Sequence, residues 1–322
     1  MTAFPNEEAC RKYFESIRFA NGDYCPLCKH DKIMRFSDGK RYRCHKCRKD
    51  FTIKTGTLFG ESKIPMQKWF IAIYLLTTRK KGISSVELSE QVGVSQKTAW
   101  FIDHRIREAL KQNKGKLFGT VEVDETYIGG KHVRKDSFKK KAPIMGMTER
   151  KGQIRAFHIP ARETHIVLGK ITENVDKSAY VMTDEAAVYK KLPKIGYRRG
   201  AVKHSKHEWA RGEINTNSIE SFWALFKRGH HGTYHSMSKK HLQRYIDEFA
   251  FRFNGRGSDM AALFEAVVFG ISNRGKLSYN ELICKSDNQN GGDRKKPTSP
   301  SPLPLTPFLV PSPILSTGTS RH

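Results

Sequence analysis

The chain has 322 residues, 38% of them hydrophobic, which rules out a wholly disordered protein and leaves room for one sizeable core plus one or two small modules. Lys and Arg total 58 against 32 Asp and Glu, a formal net charge of +26 spread through every segment up to about Lys285; a polyanion is the expected partner, although charge alone does not choose between DNA and RNA. No stretch approaches the roughly 20 continuous apolar residues of a membrane span. The opening MTAFPNEEACRKYF lacks the apolar centre of a signal peptide, so the expectation is a cytoplasmic, nucleoid-associated protein with no membrane contact.

Residues 1–60 have no long apolar run, but they hold Cys25-Pro-Leu-Cys28 and Cys44-His-Lys-Cys47, two C-x2-C pairs with 15 residues between them. Two thiolates three positions apart can grip one ion, and a second such knuckle completes tetrahedral zinc. Cys10 and Cys284 lie far apart, so a disulfide framework is not expected. A closed four-sulfur site keeps no position for water or substrate, so the Zn2+ is expected to be structural and to supply much of the folding free energy of a module with little core of its own. His45 sits inside the second knuckle, but four thiolates suffice. Lys40, Arg41, Arg43, Lys46 and Arg48, interleaved with Tyr42 and Phe51, are expected to form a basic surface with stacking groups for DNA.

From Pro65 the pattern turns helical, with Trp69, Ile73 and Leu76 at helical spacing and TTRKKG closing the helix. Val86, Leu88 and Val92 then lead to Gly93; Ser95 reads as an N-cap, and Trp100, Ile102, Ile106 and Leu110 continue a second helix. Residues 61–112 therefore read as a helix-turn-helix module whose recognition helix starts at Ser95, Gln96, Lys97 and Thr98.

Residues 113–255 shift to strand-like runs: LFGTVEVDETYI, APIMGMTER, KGQIRAFHIP, AYVMTDEA and RRGAVKHS, with a crossover helix over Thr164 to Val175. Tyr127-Ile128-Gly129-Gly130-Lys131 reads as a tight strand turn, since no helix of the right pattern follows to make a phosphate loop. From Asn215 one helix carries Ile219, Phe222, Trp223 and Phe226, and a later one carries Leu242, Tyr245, Ile246, Phe249 and Phe253. The fold class expected is α/β: a mixed sheet with flanking helices, preceded by a zinc ribbon and a helix-turn-helix module. Residues 256–322 read as a C-terminal extension, disordered from about 285, where Pro, Ser and Thr dominate.

Asp124 ends a run of valines alternating with acids, and Asp184 follows the apolar Val181-Met182-Thr183. Buried carboxylates at strand ends need a cation or a hydrogen-bond network. Glu220 shares a helix face with Trp223 and Lys227. Two strand acids and one helix acid are the oxygen ligands a pair of Mg2+ (or Mn2+) ions would use in phosphoryl transfer. Glu122 and Glu125 flank Asp124 as alternatives to it, and His204 and His207 are lesser candidates for phosphate binding or proton transfer.

At these residues the sequence resembles a known family. The run VEVDETYIGGK, the segment VMTDEAAVY and the stretch HEWARGEINTNSIESFWALFKRGHHGTYHSMSKKHLQRYIDEFAFRFN are similar to DDE-type transposases of bacterial insertion sequences that carry an N-terminal zinc ribbon, over roughly residues 10 to 255. The resemblance implies an RNase H-like domain with its acidic triad on Asp124, Asp184 and Glu220, the last two separated by 35 residues. The family pattern admits asparagine at the third position, so Asn217 is the alternative ligand; Glu220 is preferred because its charge holds metal better and Lys227 then falls seven residues on. Lys227 and Arg228 would grip a phosphate. The function implied is binding of element ends in double-stranded DNA, then strand cleavage and strand transfer, by a homodimer or higher oligomer. The alternatives are a non-catalytic zinc-containing regulator derived from a transposase and a nuclease of the same fold.

Overall fold

Of the paired cysteines Cys44 ends a strand and the other three lie in turns or loop beside a small antiparallel sheet made of β1 (Ile33–Arg35), β2 (Arg41–Cys44) and β3 (Asp50–Thr52), in that order. This computed structural model describes residues 3–111, 115–129, 141–202, 210–211 and 214–284. Ahead of the sheet runs a helix beyond those expected from the sequence, α1 (Glu7–Arg18), whose N-cap Asn6 accepts from Ala9 N through its side chain and whose Cys10, Phe14 and Arg18 recur every four residues on one buried face. Glu7 then does a second job. Its carboxylate accepts from Met66 N (2.8 Å) and Gln67 N (3.0 Å), satisfying amides at the start of α2 (Met66–Thr78) that Pro65 cannot cap.

The expected helical pair forms as α3 (Ser85–Val92) and α4 (Gln96–Ala109). Ser84 and Ser95 accept from Glu87 N and Thr98 N, and between the helices Gly93 takes the left-handed conformation (φ 66°) that ends α3. Beyond its first turns, however, α4 is buried around most of its circumference: Ile102, Asp103, His104, Arg105, Ile106 and Arg107 are all inaccessible. The elements that enclose it are α7 (Leu242–Asn254) and α8 (Met260–Asn273), the second of which packs on α1, α2 and α4 together. Asp259 caps α8, and its apolar face joins one continuous core with Phe14, Tyr42, Phe51, Phe59, Trp69 and Ile102. The ribbon sheet thus shares a core with the helices, and the part of the C-terminal extension up to Ile283 packs into it through Leu277 and Leu282. The chain divides after Ile283 into two units, and of the second only Cys284 lies among the described residues; the expected disorder beyond about 285 falls outside them.

The second layer is a five-stranded sheet in the order β6-β5-β4-β7-β8, formed by β4 (Thr120–Ile128), β5 (Ala142–Glu149), β6 (Ile154–His158), β7 (Tyr180–Thr183) and β8 (Arg198–Ala201). The first three are antiparallel neighbours; β7 and β8 run parallel to β4, joined through the crossover helix α5 (Thr164–Asn174). Alternation along β4 sends Val121 and Val123 to the side of α5 with Val167, Ile171 and Tyr189. Ile128 goes to the other side, with Ile144, Ala156 and the residues of α6 (Asn217–Gly229) and α7. A mixed sheet with helices on both faces is the RNase H-like arrangement expected. Gly130 and Lys131 of the expected strand turn, and His204 and His207, fall outside the described residues. Among the described residues no helix is long and apolar enough to cross a membrane.

Where α4 meets α7 the contact is ionic. Arg107 bonds Glu248 (Nε to Oε2, 2.6 Å) and lies 3.6 Å from Asp103, with the three side chains at most 1% exposed. Arg252 pairs with Glu248 as well. Tyr234 completes the set by donating its hydroxyl to Glu248 (2.5 Å). That hydroxyl can arrive only because residue 82 is glycine, since a Cβ there would sit 1.9 Å from Tyr234 Oη. Removing one member of such a set strands the others without solvent. Arg107→Ala is therefore expected to lower stability by about 3–5 kcal/mol, read by denaturant unfolding; a loss under about 1 kcal/mol would show that the cluster relaxes or hydrates instead.

Candidate functional site

The four sulfur atoms of Cys25, Cys28, Cys44 and Cys47 lie within 4.8 Å of one another. Cys25 and Cys47 are 3.8 Å apart and Cys28 and Cys44 3.5 Å apart, against the edge of about 3.8 Å of a tetrahedron with 2.3 Å zinc–sulfur arms. The knuckles are built alike: Lys29 N and Arg48 N return to the carbonyls of Cys25 and Cys44 at 2.8 and 3.0 Å, and both residues are left-handed (φ 63° and 58°). The donor set fits structural zinc.

The basic surface expected around the knuckles takes a different form. The alternation of β2 turns Arg41 and Arg43 outward and Tyr42 inward; Tyr42 and Phe51 stack on each other inside the core, 5.3 Å between centroids, and so are not available to bases. Arg41 and Arg43 are paired with Asp38 (2.7 Å) and Asp50 (2.6 Å). Lys40 and Lys46 are exposed. At the start of α4, Gln96 is exposed and donates to Ser85 Oγ (2.9 Å), while Lys97 sits 4.8 Å over the ring of Tyr279. Removal of zinc by a chelator is expected to lower the stability of the ribbon and of the core it shares, by about 4 kcal/mol when zinc had been present at a thousand times its Kd. Calorimetry with and without restored zinc, beside a measured stoichiometry of one ion per chain, checks this.

Asp124 lies on the central strand β4, and Asp184 immediately follows β7. The two strands pair in parallel register through Glu122↔Met182, and carrying that register two residues on sets Asp184 opposite Asp124. Each acid has its own partner. Asp124 Oδ2 accepts from the indole of Trp223 (3.1 Å). Asp184 accepts from Ala186 N (3.0 Å) and faces Arg162 at 3.6 Å, and Arg199 donates to its carbonyl (2.8 Å). Glu220 is exposed on α6, one turn before Trp223, and accepts from Thr216 Oγ1 (2.8 Å). Among the described residues the four cysteines are the group of three or more ligating side chains gathered within 4.8 Å, so the three acids are not closed to that spacing. Asn217, Lys227 and Arg228 are exposed, at the first and last turns of α6.

Glu122 and Glu125 have other occupations. Glu122 is fully buried and accepts from Ser218 N (2.8 Å), Ile219 N (3.1 Å) and Ser218 Oγ (3.1 Å), capping α6 from the sheet. Glu125 points to the opposite face of β4, where Arg162 holds it at 2.8 Å. Sequence reasoning also did not anticipate Gly146, which lies opposite Asp124 on β5. A Cβ there would meet Ile219 at 2.6 Å and Trp223 at 2.7 Å, so the missing side chain is what lets the indole lie against the sheet beside the aspartate.

Burial, with the nearby charges of Glu125 and Asp184, pushes Asp124 up to about 6, against the pull of hydrogen bonds from the Glu125 backbone and the Trp223 indole. A carboxyl whose ionisation is disfavoured by burial, beside other carboxylates and with oxygen donors only, suits a hard divalent cation. The folded state binds this proton more tightly than the unfolded chain does. The stability it contributes is thus full below the ordinary carboxylate pKa of about 3.9 and is lost as pH rises through about 6. In chelator-treated protein Asp124→Asn is therefore expected to be more stable than the parent at pH 7, by about 1–3 kcal/mol, with the gap closing near pH 4. Melting curves across that range, repeated with Mn2+, test the point; Mn2+ is expected to stabilise the parent alone.

Comparison with known proteins agrees with this architecture. Residues 5–50 match a transposase zinc-ribbon domain and residues 116–254 an ISXO2-like transposase domain. A protein of Halobacterium salinarum, described as an uncharacterized protein in transposable element ISH50, is 29% identical over 276 residues, covering 77% of this chain and 91% of its own. Among solved structures, a chain of the simian T-cell lymphotropic virus intasome in complex with PP2A regulatory subunit B56 gamma aligns at 13% identity over 71% of this chain and 78% of its own, and its TM-score of 0.24 is too low to bear on fold or function. Along one chain, then, a region matched by a transposase zinc-ribbon domain precedes one matched by an ISXO2-like transposase domain, and the whole is similar to a protein of an insertion sequence.

Proposed function

We propose that this protein binds the ends of its insertion sequence and catalyses DNA strand cleavage and strand transfer, with Asp124, Asp184 and Glu220 as the ligands of divalent cations. The observation that carries the reading is that Asp124 lies on the central strand and Asp184 just past the end of the parallel strand paired with it, with α6 pinned beside them by Glu122. Bound there, Mg2+ or Mn2+ would polarise the phosphodiester and its attacking and leaving oxygens. The protein's own contributions are positional. Trp223 holds one oxygen of Asp124, so that the carboxylate keeps a fixed orientation. Glu220 is presented from the first turn of α6, and Lys227 and Arg228 stand exposed in its last turn, where they would hold a DNA phosphate. Cleavage by water leaves a 3′ hydroxyl, and that oxygen then displaces the 3′ oxygen of a target phosphodiester.

In this reading residues 1–60 and 61–112 recognise DNA and residues 113–255 do the chemistry. Engagement of two ends at once calls for at least a dimer. Because α4 is buried beyond its first turns, base contact from this helix would fall to its N-terminal residues, Gln96 and Lys97 among them.

Asp124→Ala, Asp184→Ala and Glu220→Ala are each expected to reduce strand transfer of DNA bearing the element's ends by about 100-fold or more, while duplex binding stays within about threefold. Asn217→Ala in the same series decides the third ligand: a loss as deep as at the aspartates, with Glu220→Ala near the parent, would move that role to Asn217. Binding without cleavage by the unmutated protein in Mg2+ and in Mn2+ would instead make the chain a regulator, and preferred cutting of an RNA–DNA hybrid would make it a nuclease.

A further inference from the structure

An open cleft of about 520 Å³ separates the loop between α2 and α3 from the turn of π-helix, His230–Tyr234, that follows α6. Arg79, Lys80 and Lys81 line one side, and Gly232, Thr233 and His235 the other. The two sides are fixed to each other. Gly229 lies so close to the loop that a Cβ on it would be 3.0 Å from Lys81 O, and Gly82 admits the Tyr234 hydroxyl, which bonds Glu248. Arg79 is neutralised by Glu87. Lys80 and Lys81 are exposed, and neither has a recorded ion pair among the described residues. The cleft therefore joins two uncompensated ammonium groups, the hydroxyls of Ser84 and Thr233 and the backbone of two glycines, with walls held in place by buried bonds. This is the chemistry of an anion site. It is too small for a duplex and of a size for a phosphate with its sugar.

We propose that this cleft grips the phosphodiester backbone of DNA whose neighbouring phosphodiesters lie at the acids of α6 and the sheet; the assignment rests on the reading that the chain acts on DNA. Position along the chain favours that occupant over a free anion. Glu220 and Gly232 are twelve residues apart along α6 and its continuation, a rise of about 18 Å, or roughly five base-pair steps of duplex. The exposed Lys227 and Arg228 lie between them. Cations at the cleft, in the last turn of α6 and beside the acids would thus follow one backbone for about half a turn of helix, and the cleft would fix how far along the DNA the reacting bond sits.

The test is the salt dependence of duplex binding by the full chain, parent against Lys80→Glu/Lys81→Glu, with Lys190→Glu/Lys191→Glu as a control that removes the same charge from exposed positions elsewhere. Two lost phosphate contacts should lower the slope of log K against log salt by about 1.8. The expected result is that drop for the cleft pair, with a slope near the parent's for the control. Lys80→Ala/Lys81→Ala loses the same two contacts and should show a drop of about the same size. Equal slopes for the two glutamate pairs overturn the cleft assignment while leaving the transposase reading intact, as does a drop seen with RNA but not with duplex DNA. Failure of the unmutated protein to bind duplex DNA overturns the functional reading and this assignment with it.

Discussion

The arrangement of the acidic site depends on one carboxylate that belongs to none of the proposed ligand positions. Glu122 is fully buried on the central strand and with one oxygen, Oε2, accepts from two backbone amides at the start of α6. Those amides have no partner within the helix, and Thr216, the residue at the cap, turns its hydroxyl to Glu220 instead. The bond between sheet and helix is charge-assisted, of a kind worth about 1.5–3 kcal/mol, and Arg150 stands 3.4 Å away to balance the charge. With the helix fixed at its first turn, Trp223 reaches Asp124, and Glu220 is set one turn before it. Glu7 likewise accepts from two amides at the start of α2. Both helices are aimed by an acid distant in the chain.

That economy explains why a zinc ribbon, a helical pair and a mixed sheet need not behave as beads on a string. The ribbon strands contribute Tyr42 and Phe51 to a core that α1, α2, α4 and α8 complete, and Leu58 N bonds Ile271 O at 3.2 Å. Arg105 ties the same junction from within, donating to Gly60 O and Leu277 O. Zinc therefore sets the shape of a lobe whose apolar contacts come largely from elsewhere in the chain.

Local patterns carried much of this into the sequence. The alternation along Thr120–Ile128, the serine caps and Gly93 around α3 and α4, and the apolar stripe of α6 each depend on residues a few positions apart, and all are found where their spacing implied. The cysteine spacing was equally legible, because a C-x2-C knuckle is a local turn. What was missed depends on distance. Nothing near Glu122 marks it as the cap of a helix 96 residues away, and Gly146 has meaning only beside Trp223. Tyr42 and Phe51 looked like stacking groups among arginines until α1 and the loop residues covered them. Helix α1 has its own local marks in Asn6 and the four-residue repeat of Cys10, Phe14 and Arg18, but its mean hydropathy is low and its apolar stripe narrow. Helix α8, apolar nearly throughout, carries little periodicity to read.

The ionic seam of Arg107, Asp103, Glu248 and Arg252 bears on how such proteins could exchange parts. Greasy surfaces tolerate a new neighbour with small adjustments, whereas interlocked charges demand the matching set. A cut made after Ala109 would divide the set, sending two of its members with the N-terminal half and two with the C-terminal half. Recombination that grafted a foreign segment ending at α4 onto this sheet would have to import α7 as well, or leave the buried turns of α4 unchanged.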